Sequence, residues 1–240
     1  MKFDISIFIP CYNEEKNIIN SIKTAISVIN KVNLTYELII VDDGSIDNSV
    51  HLINDFIKNN PNLNIKSILN NKNHGLGYSF AEAAFIAEGT YFRQVNGDND
   101  ETPETLEKIL LKIGQADIIM CYHERILNKK FFRKVLSSLF TKIVNLITGN
   151  NLKYYNGLPI FKTKDVQRWH SRTPGFGYQA ELITKLLFLK KTYIEVPVMA
   201  MERPFGESKA ISMKNFFYVG ITLLRLLVDR ILAPQHNATK

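Results

Sequence analysis

Tyr91-Phe92-Arg93-Gln94-Val95-Asn96-Gly97-Asp98-Asn99-Asp100-Glu101 is the stretch from which the fold can be read. Residues 91–95 are β-prone, with Arg93 at their centre, and predict a strand. The strand stops abruptly in a turn that carries three carboxylates and two amides. Carboxylates packed this closely repel and raise one another's pKa unless a cation joins them. Hard oxygen ligands suit Mg²⁺ or Mn²⁺, and Mg²⁺ usually keeps waters and shares substrate phosphates. The turn therefore has two readings: a divalent-metal site that holds a diphosphate, or a solvated polar turn.

The segments on either side favour the first. Residues 3–10 (Phe-Asp-Ile-Ser-Ile-Phe-Ile-Pro) partly alternate, are rich in isoleucine and predict the first strand. In the loop that follows, Asn13 is placed to cap a helix from Glu14 to about Ile29. Its apolar stripe is Ile18, Ile19, Ile22, Ala25, Ile26 and Ile29. Residues 37–41 form a second strand, ended by Asp42-Asp43-Gly44-Ser45, and Asp47 is placed to cap a helix to about Lys58. A third strand covers 64–69. His74-Gly75-Leu76-Gly77 opens a helix through Ala87, Pro103 starts another, and 117–121 form a fifth strand. Five strands alternating with helices predict an α/β fold with a mostly parallel, doubly wound sheet. In such sheets ligands sit at the carboxyl ends of the strands. Three polar clusters lie at such ends, at 12–14, 42–45 and 96–101, and should converge on one crevice.

The second half is less regular. Residues 131–147 predict an amphipathic basic helix, 154–161 a loop or short strand, 178–189 a helix and 192–198 a strand. A polar loop covers 202–209. Residues 216–232 are apolar almost all round but carry Arg225, Asp229 and Arg230. At 1.5 Å per residue this helix is about 26 Å long, short of a roughly 30 Å hydrocarbon core. Each charge at its centre costs about 2.5–3.5 kcal/mol on insertion scales. A membrane span is disfavoured. An interfacial helix, a subunit contact and a helix buried on the domain remain open. The expected organisation is a catalytic-type domain at 1–211, this helix at 212–233 and a flexible tail at 234–240.

The formal net charge of +7 is unevenly placed. Between His123 and Arg172 stand eleven Lys or Arg against Glu124 and Asp165. A basic middle on a near-neutral body implies an anionic partner: phosphate, an anionic membrane surface or nucleic acid. The segment carries no nucleic-acid motif or aromatic stacking platform, so no nucleic-acid partner is expected. The two cysteines, Cys11 and Cys121, make no disulfide framework or metal spacing and are expected to be buried thiols. Asp4 and Glu14-Glu15 make the N-terminus a poor signal peptide, so an intracellular protein is expected.

The order of motifs resembles the family 2 inverting glycosyltransferases of the GT-A fold, and within them the dolichol- and polyprenyl-phosphate sugar synthases. The resemblance spans nearly the whole chain. It rests on Ile9-Pro10-Cys11-Tyr12-Asn13-Glu14, Val41-Asp42-Asp43-Gly44-Ser45, the acidic turn, Arg125 and Arg133, Gly175-Phe176 with Glu181, Glu195-Val196-Pro197, and Arg203-Pro-Phe-Gly206-Glu-Ser208-Lys209. It implies a GT-A (Rossmann-like) nucleotide-diphospho-sugar transferase fold with a mixed, mostly parallel sheet. It also implies a nucleotide-sugar donor (GDP-mannose or a UDP-sugar), a polyprenyl phosphate acceptor and a Mg²⁺ or Mn²⁺ cofactor. The protein would sit peripherally at the cytoplasmic face of a membrane, with a homo-oligomer as an option.

By the same resemblance Pro10, Tyr12, Glu14, Val41 and Asp43 bind the nucleoside. Asn96, Gly97, Asp98 and Asp100 face the diphosphate, with Asp98, Asp100 and Asn96 as metal ligands. Arg125 and Arg133 hold the acceptor phosphate, and Arg203 and Lys209 stabilise the departing nucleoside diphosphate. Two departures stand out. The synthases show Asp-x-Asp-x-Gln where this chain has Asn96, Asp98 and Asp100, unless Asp98-Asn99-Asp100 is itself the Asp-x-Asp; Asp98 is a ligand either way. Lys153, Asn156 and Leu158 occupy the places of Asp, Ser and Phe in Asp-x-x-Ser-Gly-Phe. An alternative acceptor is a hydroxyl of a cell-surface glycan, which needs a general base. Glu181 is the candidate.

Overall fold

A computed structural model describes residues 1–99, 101–126, 131–169, 177–200 and 213–232. At 123–126, 131–134, 199–200 and 213–217 it describes the backbone alone. Seven strands form one sheet in the order β3-β2-β1-β4-β6-β5-β7. They are β1 (Phe3–Cys11), β2 (Tyr36–Asp42), β3 (Ile65–Leu69), β4 (Gly89–Gln94), β5 (Ile118–Ile126), β6 (Ile160–Lys162) and β7 (Tyr193–Ala200). The pairs β1–β2, β1–β4, β2–β3 and β5–β7 are parallel. The short β6 lies antiparallel between β4 and β5, which makes the sheet mixed.

Strand alternation assigns the two faces. Ile5, Ile7 and Ile9 of β1 and Leu38 and Ile40 of β2 pack with α1 (Ile18–Lys31), α2 (Ser49–Asn59) and α4 (Pro103–Leu110). Phe8, Ile39, Val41 and Phe92 face α3 (Leu76–Ile86) and the helices of the second half. These are α5 (Phe131–Thr148), α6 (Thr163–Arg168), α7 (Tyr178–Phe188) and α8 (Met213–Leu232). Strands covered on both faces need apolar residues at consecutive positions, as β1 and β2 have. Cys11 and Cys121 are buried as expected, and burial pushes both thiols up to about 12.

Several elements differ from the expectation. The first helix begins at Ile18 instead of Glu14. Asn13 adopts a left-handed φ of 56°, and the amides of Asn17 and Ile18 both donate to the Glu14 carbonyl at 2.9 Å, so the chain makes a separate turn first. The fifth strand runs on to Ile126 because β7 pairs along its length, which places Arg125 on a strand. The junction is latched by Asp117, which accepts from the Thr192 amide and hydroxyl, both at 2.8 Å, and pairs with Lys162 at 2.6 Å. Lys162 holds the Asp117 carboxyl well below the usual carboxylate range.

The C-terminal helix settles one of its three readings in part. Thr222 (fully buried) and Leu226 pack inward, and Thr222 lies so close to Gly177 that a Cβ there would stand 2.2 Å from its hydroxyl oxygen. The opposite stripe, Leu224, Leu227, Val228 and Ile231, is exposed. No helix among the described residues is long and apolar enough to cross a membrane.

Candidate active site

The carboxyl ends of β2, β1 and β4 stand side by side, and their loops meet on one rim. The Asp43 amide donates to the Cys11 carbonyl and the Val95 amide to the Phe8 carbonyl, each at 2.8 Å. The loop after β1 is laced to the loop after β2. Asn13 donates its amide to Ser45 Oγ (2.9 Å) and accepts from the Ile46 amide (2.8 Å), while the Glu14 amide donates to Ser49 Oγ (3.0 Å). The Glu14 carboxylate in turn accepts from Asn17 Nδ2 at 2.8 Å. Asp42 serves the turn, accepting from the Ser45 amide at 2.8 Å and its hydroxyl at 2.5 Å.

Asp43 is buried and ties in a third loop. Its Oδ1 accepts from the His74 amide (2.9 Å) and its Oδ2 from the Gly75 amide (2.8 Å). Oδ1 also accepts a long bond from Asn70 Nδ2 (3.4 Å), and a carboxylate oxygen can accept two bonds, so the anchoring is compatible with a nucleoside contact at Oδ2. Gly75 needs its φ of 99°, and the loop carries His74 stacked on Tyr78 with ring centroids 4.4 Å apart. That loop was legible in the sequence only as a helix start. Its Gly-x-Gly spacing was the available signal for a backbone approach to the rim.

The acidic turn is held from three sides. Ser21 Oγ of α1 donates to the Asn96 carbonyl at 2.7 Å. Gly97 lies against the end of β1, where a Cβ would stand 2.3 Å from the Pro10 carbonyl oxygen. Asn96 Oδ1 accepts from Gln94 Nε2 at 2.7 Å. Gln94 Oε1 accepts from the Tyr178 hydroxyl through a short hydrogen bond, and that hydroxyl accepts from Gln179 Nε2 at 2.9 Å. All three relay side chains are buried, and burial pushes the Tyr178 hydroxyl pKa up. Glu101 does not face the rim. Its carboxylate grips the buried guanidinium of Arg93 through two hydrogen bonds of 2.8 and 2.6 Å.

Asp98, buried at 4% exposure, therefore carries the described carboxylate of the turn that suits a cation. Asn96 Oδ1 already accepts from Gln94, which lowers its capacity as a ligand. No group of three or more His, Cys, Asp or Glu suited to a metal forms among the described residues. The oxygen set thus fits a hard divalent ion completed by water and a diphosphate, and does not fit an all-protein cage.

The structure brings Pro10, Tyr12, Glu14, Asp43, Asn96, Gly97 and Asp98 to one rim. Val41 is fully buried in the core beneath it. Arg125 stands on β5 and Arg133 in the first turns of α5, but both side chains, together with Asp100, Arg203 and Lys209, lie outside the described residues. So do Gly175 and Phe176. Glu181 is buried in the first turn of α7. The loop with the second departure is pressed on β5: a Cβ on Gly157 would stand 1.9 Å from the Cys121 carbonyl oxygen. Beside it Leu158 takes a φ of 52°, and Lys153 Nζ lies 4.1 Å from the Tyr122 ring centroid. The Arg93–Glu101 pair and the Gln94–Tyr178 relay were not foreseen. An arginine at the centre of an apolar strand was the only signal for the first.

A parallel half-sheet ending in three converging polar loops, extended by an antiparallel strand and a final parallel pair, is the GT-A α/β fold of nucleotide-diphospho-sugar transferases. Residues 6–181 match the Glycosyl transferase family 2 model, and the chain belongs to that family. Solved structures agree. TarS (residues 1–349) of S. aureus in complex with UDP-GlcNAc is 21% identical, with a TM-score of 0.61 over 96% of this chain and 67% of that one. Glucosyl-3-phosphoglycerate synthase from Mycobacterium tuberculosis, with Mn²⁺, UDP and phosphoglyceric acid, is 14% identical, with a TM-score of 0.68 over 98% and 80%. The mannosyltransferase PcManGT from Pyrobaculum calidifontis, with GDP-Man and Mn²⁺, is 16% identical, with a TM-score of 0.59 over 96% and 63%. At these identities the likeness establishes the fold.

Proposed function

We propose that this glycosyltransferase moves a sugar, with inversion, from a nucleotide-sugar (GDP-mannose or a UDP-sugar) to a polyprenyl phosphate. The observation that carries the donor half is the rim itself, where Asp43 follows β2 and Asp98 follows β4, the two strands that flank β1, with Tyr12 and Glu14 in the loop after β1 between them. Asp43 accepts from ribose hydroxyls or a base N–H. Asp98, with Asn96 and Asp100 as further candidates, holds the ion. When bound, Mg²⁺ or Mn²⁺ neutralises the charge that develops on the departing diphosphate. Arg203 and Lys209 add to that neutralisation. Solved relatives bound to UDP-GlcNAc, to UDP with Mn²⁺ and to GDP-Man with Mn²⁺ support such a donor.

For the acceptor, Arg125 and Arg133 present guanidinium forks that match phosphate oxygens. A phosphate monoester is largely ionised near neutral pH, so its oxygen attacks the anomeric carbon without a strong base. The test is transfer from labelled GDP- and UDP-sugars to a short polyprenyl phosphate with Mn²⁺ or Mg²⁺. Metal-dependent label in the lipid phase is expected. Donor hydrolysis without lipid product would overturn the acceptor, and absence of donor binding would overturn the donor.

A second acceptor, a glycan hydroxyl, is favoured by one observation. Glu181 is a buried carboxylate on the helix whose Tyr178 and Gln179 connect through Gln94 to Asn96. Under this reading Glu181→Gln abolishes transfer and spares donor binding. Under the lipid-phosphate reading it lowers both less than tenfold.

We propose a peripheral position at the cytoplasmic face of a membrane; the exposed stripe of α8 supports the membrane contact alone. Leu224, Leu227, Val228 and Ile231 recur at helical spacing opposite the face buried on the domain. Leu227→Glu with Ile231→Glu is predicted to reduce co-sedimentation with anionic liposomes several-fold and to leave turnover of a detergent-soluble acceptor unchanged. A wild-type protein that ignores liposomes and elutes as a dimer would reassign the stripe to a subunit contact.

A further inference from the structure

We propose that the Arg93–Glu101 ion pair is a positioning clamp that sets the acidic turn for the metal–diphosphate; its bearing on the donor rests on the reading above. Arg93 sits at the centre of β4, paired with Ile7 of β1 on one side and Ile160 of β6 on the other. Its side chain is fully buried. A guanidinium there requires a charged, well-aligned partner, and Glu101 supplies a bidentate one. Arg93 Nε is buried without a geometric hydrogen-bond partner among the described residues, and the guanidinium lies beside the buried Cys121 thiol. A buried ion pair of this kind adds little net stability over apolar side chains of similar volume. Its larger effect is on geometry.

The turn is tied at its start by the Ser21–Asn96 hydrogen bond and the Gly97–Pro10 contact. It is tied at its end by Glu101, followed at once by Thr102, whose side chain accepts from the Thr105 amide and caps α4. Asp98 stands between these two anchors. Glu101 is the tie nearest to α4 among the described residues of the turn. The pair also neutralises Glu101, so that this carboxylate adds no net negative charge beside the turn. Arg93 and Glu101 therefore act through Asp98 and touch no substrate.

The test compares Glu101→Gln and the double variant R93M/E101L with the wild type. Three readouts are used: Mn²⁺-dependent binding of GDP and UDP by calorimetry, amide hydrogen exchange across residues 95–102, and Tm. Glu101→Gln is expected to lower Tm, speed exchange in the turn and weaken Mn²⁺–nucleotide binding about tenfold or more, the usual range for groups that orient metal ligands. The double variant removes both charges. It is expected to recover Tm while exchange stays fast and binding stays weak. Recovery of slow exchange and tight binding along with Tm would overturn the clamp and leave the pair a core filler. A wild-type protein that binds neither nucleotide would overturn the proposed donor instead, and exchange and Tm would still decide the clamp.

Discussion

Asp98→Ala is expected to reduce sugar transfer by roughly 10²- to 10³-fold, the usual loss when a group that stabilises transition-state charge is removed. The structural ground is specific. Of the described carboxylates in the acidic turn, Glu101 is committed to Arg93, and Asn96 Oδ1 accepts from Gln94. In the proposed function the ion is assigned to Asp98, buried in the same turn, and this variant tests that assignment. The same variant should weaken nucleotide binding in the presence of Mn²⁺ far more than in its absence. Asp98→Asn, which keeps the shape and loses the charge, should fall between wild type and alanine at saturating metal. Steady-state rates over a Mn²⁺ and Mg²⁺ titration, with circular dichroism to confirm a folded variant, check this. Near-wild-type transfer by Asp98→Ala at ordinary metal concentrations would remove the cation from this turn.

Gly97→Ala is the second large effect, and it arises from space. The added Cβ would stand 2.3 Å from the Pro10 carbonyl oxygen. That oxygen is backbone at the end of a central strand and cannot swing aside as a long side chain would. The end of β1 and the acidic turn must move apart, which as overpacking costs about 1–3 kcal/mol of stability. A shift on the order of 1 Å between positioned groups can cost about 10²-fold in rate. The expected result is a lowered Tm together with a loss of kcat/KM of about that size. Gly220→Ala in α8, where a Cβ meets nothing within 4 Å, serves as the control and should leave kcat/KM unchanged and Tm equal or slightly raised, because alanine favours a helix interior over glycine. A Gly97→Ala enzyme with wild-type Tm and KM would show that the two loops are not in contact as described.

Gly97 also shows how reading and structure divide. As part of the acidic turn it was legible as a site residue, but the reason for glycine was not, because Pro10 lies 87 positions away in the chain. The β-strands of the first half, their order with the helices and the convergence of polar strand ends followed from local pattern. Alternation and turn residues act over a few positions and leave their mark there. The helix start at Ile18 was missed because a local pattern cannot show that Asn13 is bound to Ser45 and Ile46 of another loop.

The sequence by itself determined the α/β class, the strand ends that carry the polar residues and Asp98 as the central acidic side chain. Only the tertiary structure decided which acids serve the rim. It turned Glu101 inward to Arg93, gave Asp42 to its own turn and set Asp43 to hold the His74–Gly75 loop. It also decided that α8 buries one apolar face and exposes the other. The physical reason is the same in each case. Composition and spacing state what a side chain can bind, whereas the partner that neutralises or covers it comes from a distant part of the chain, brought within about 3 Å only when the sheet and its helices pack.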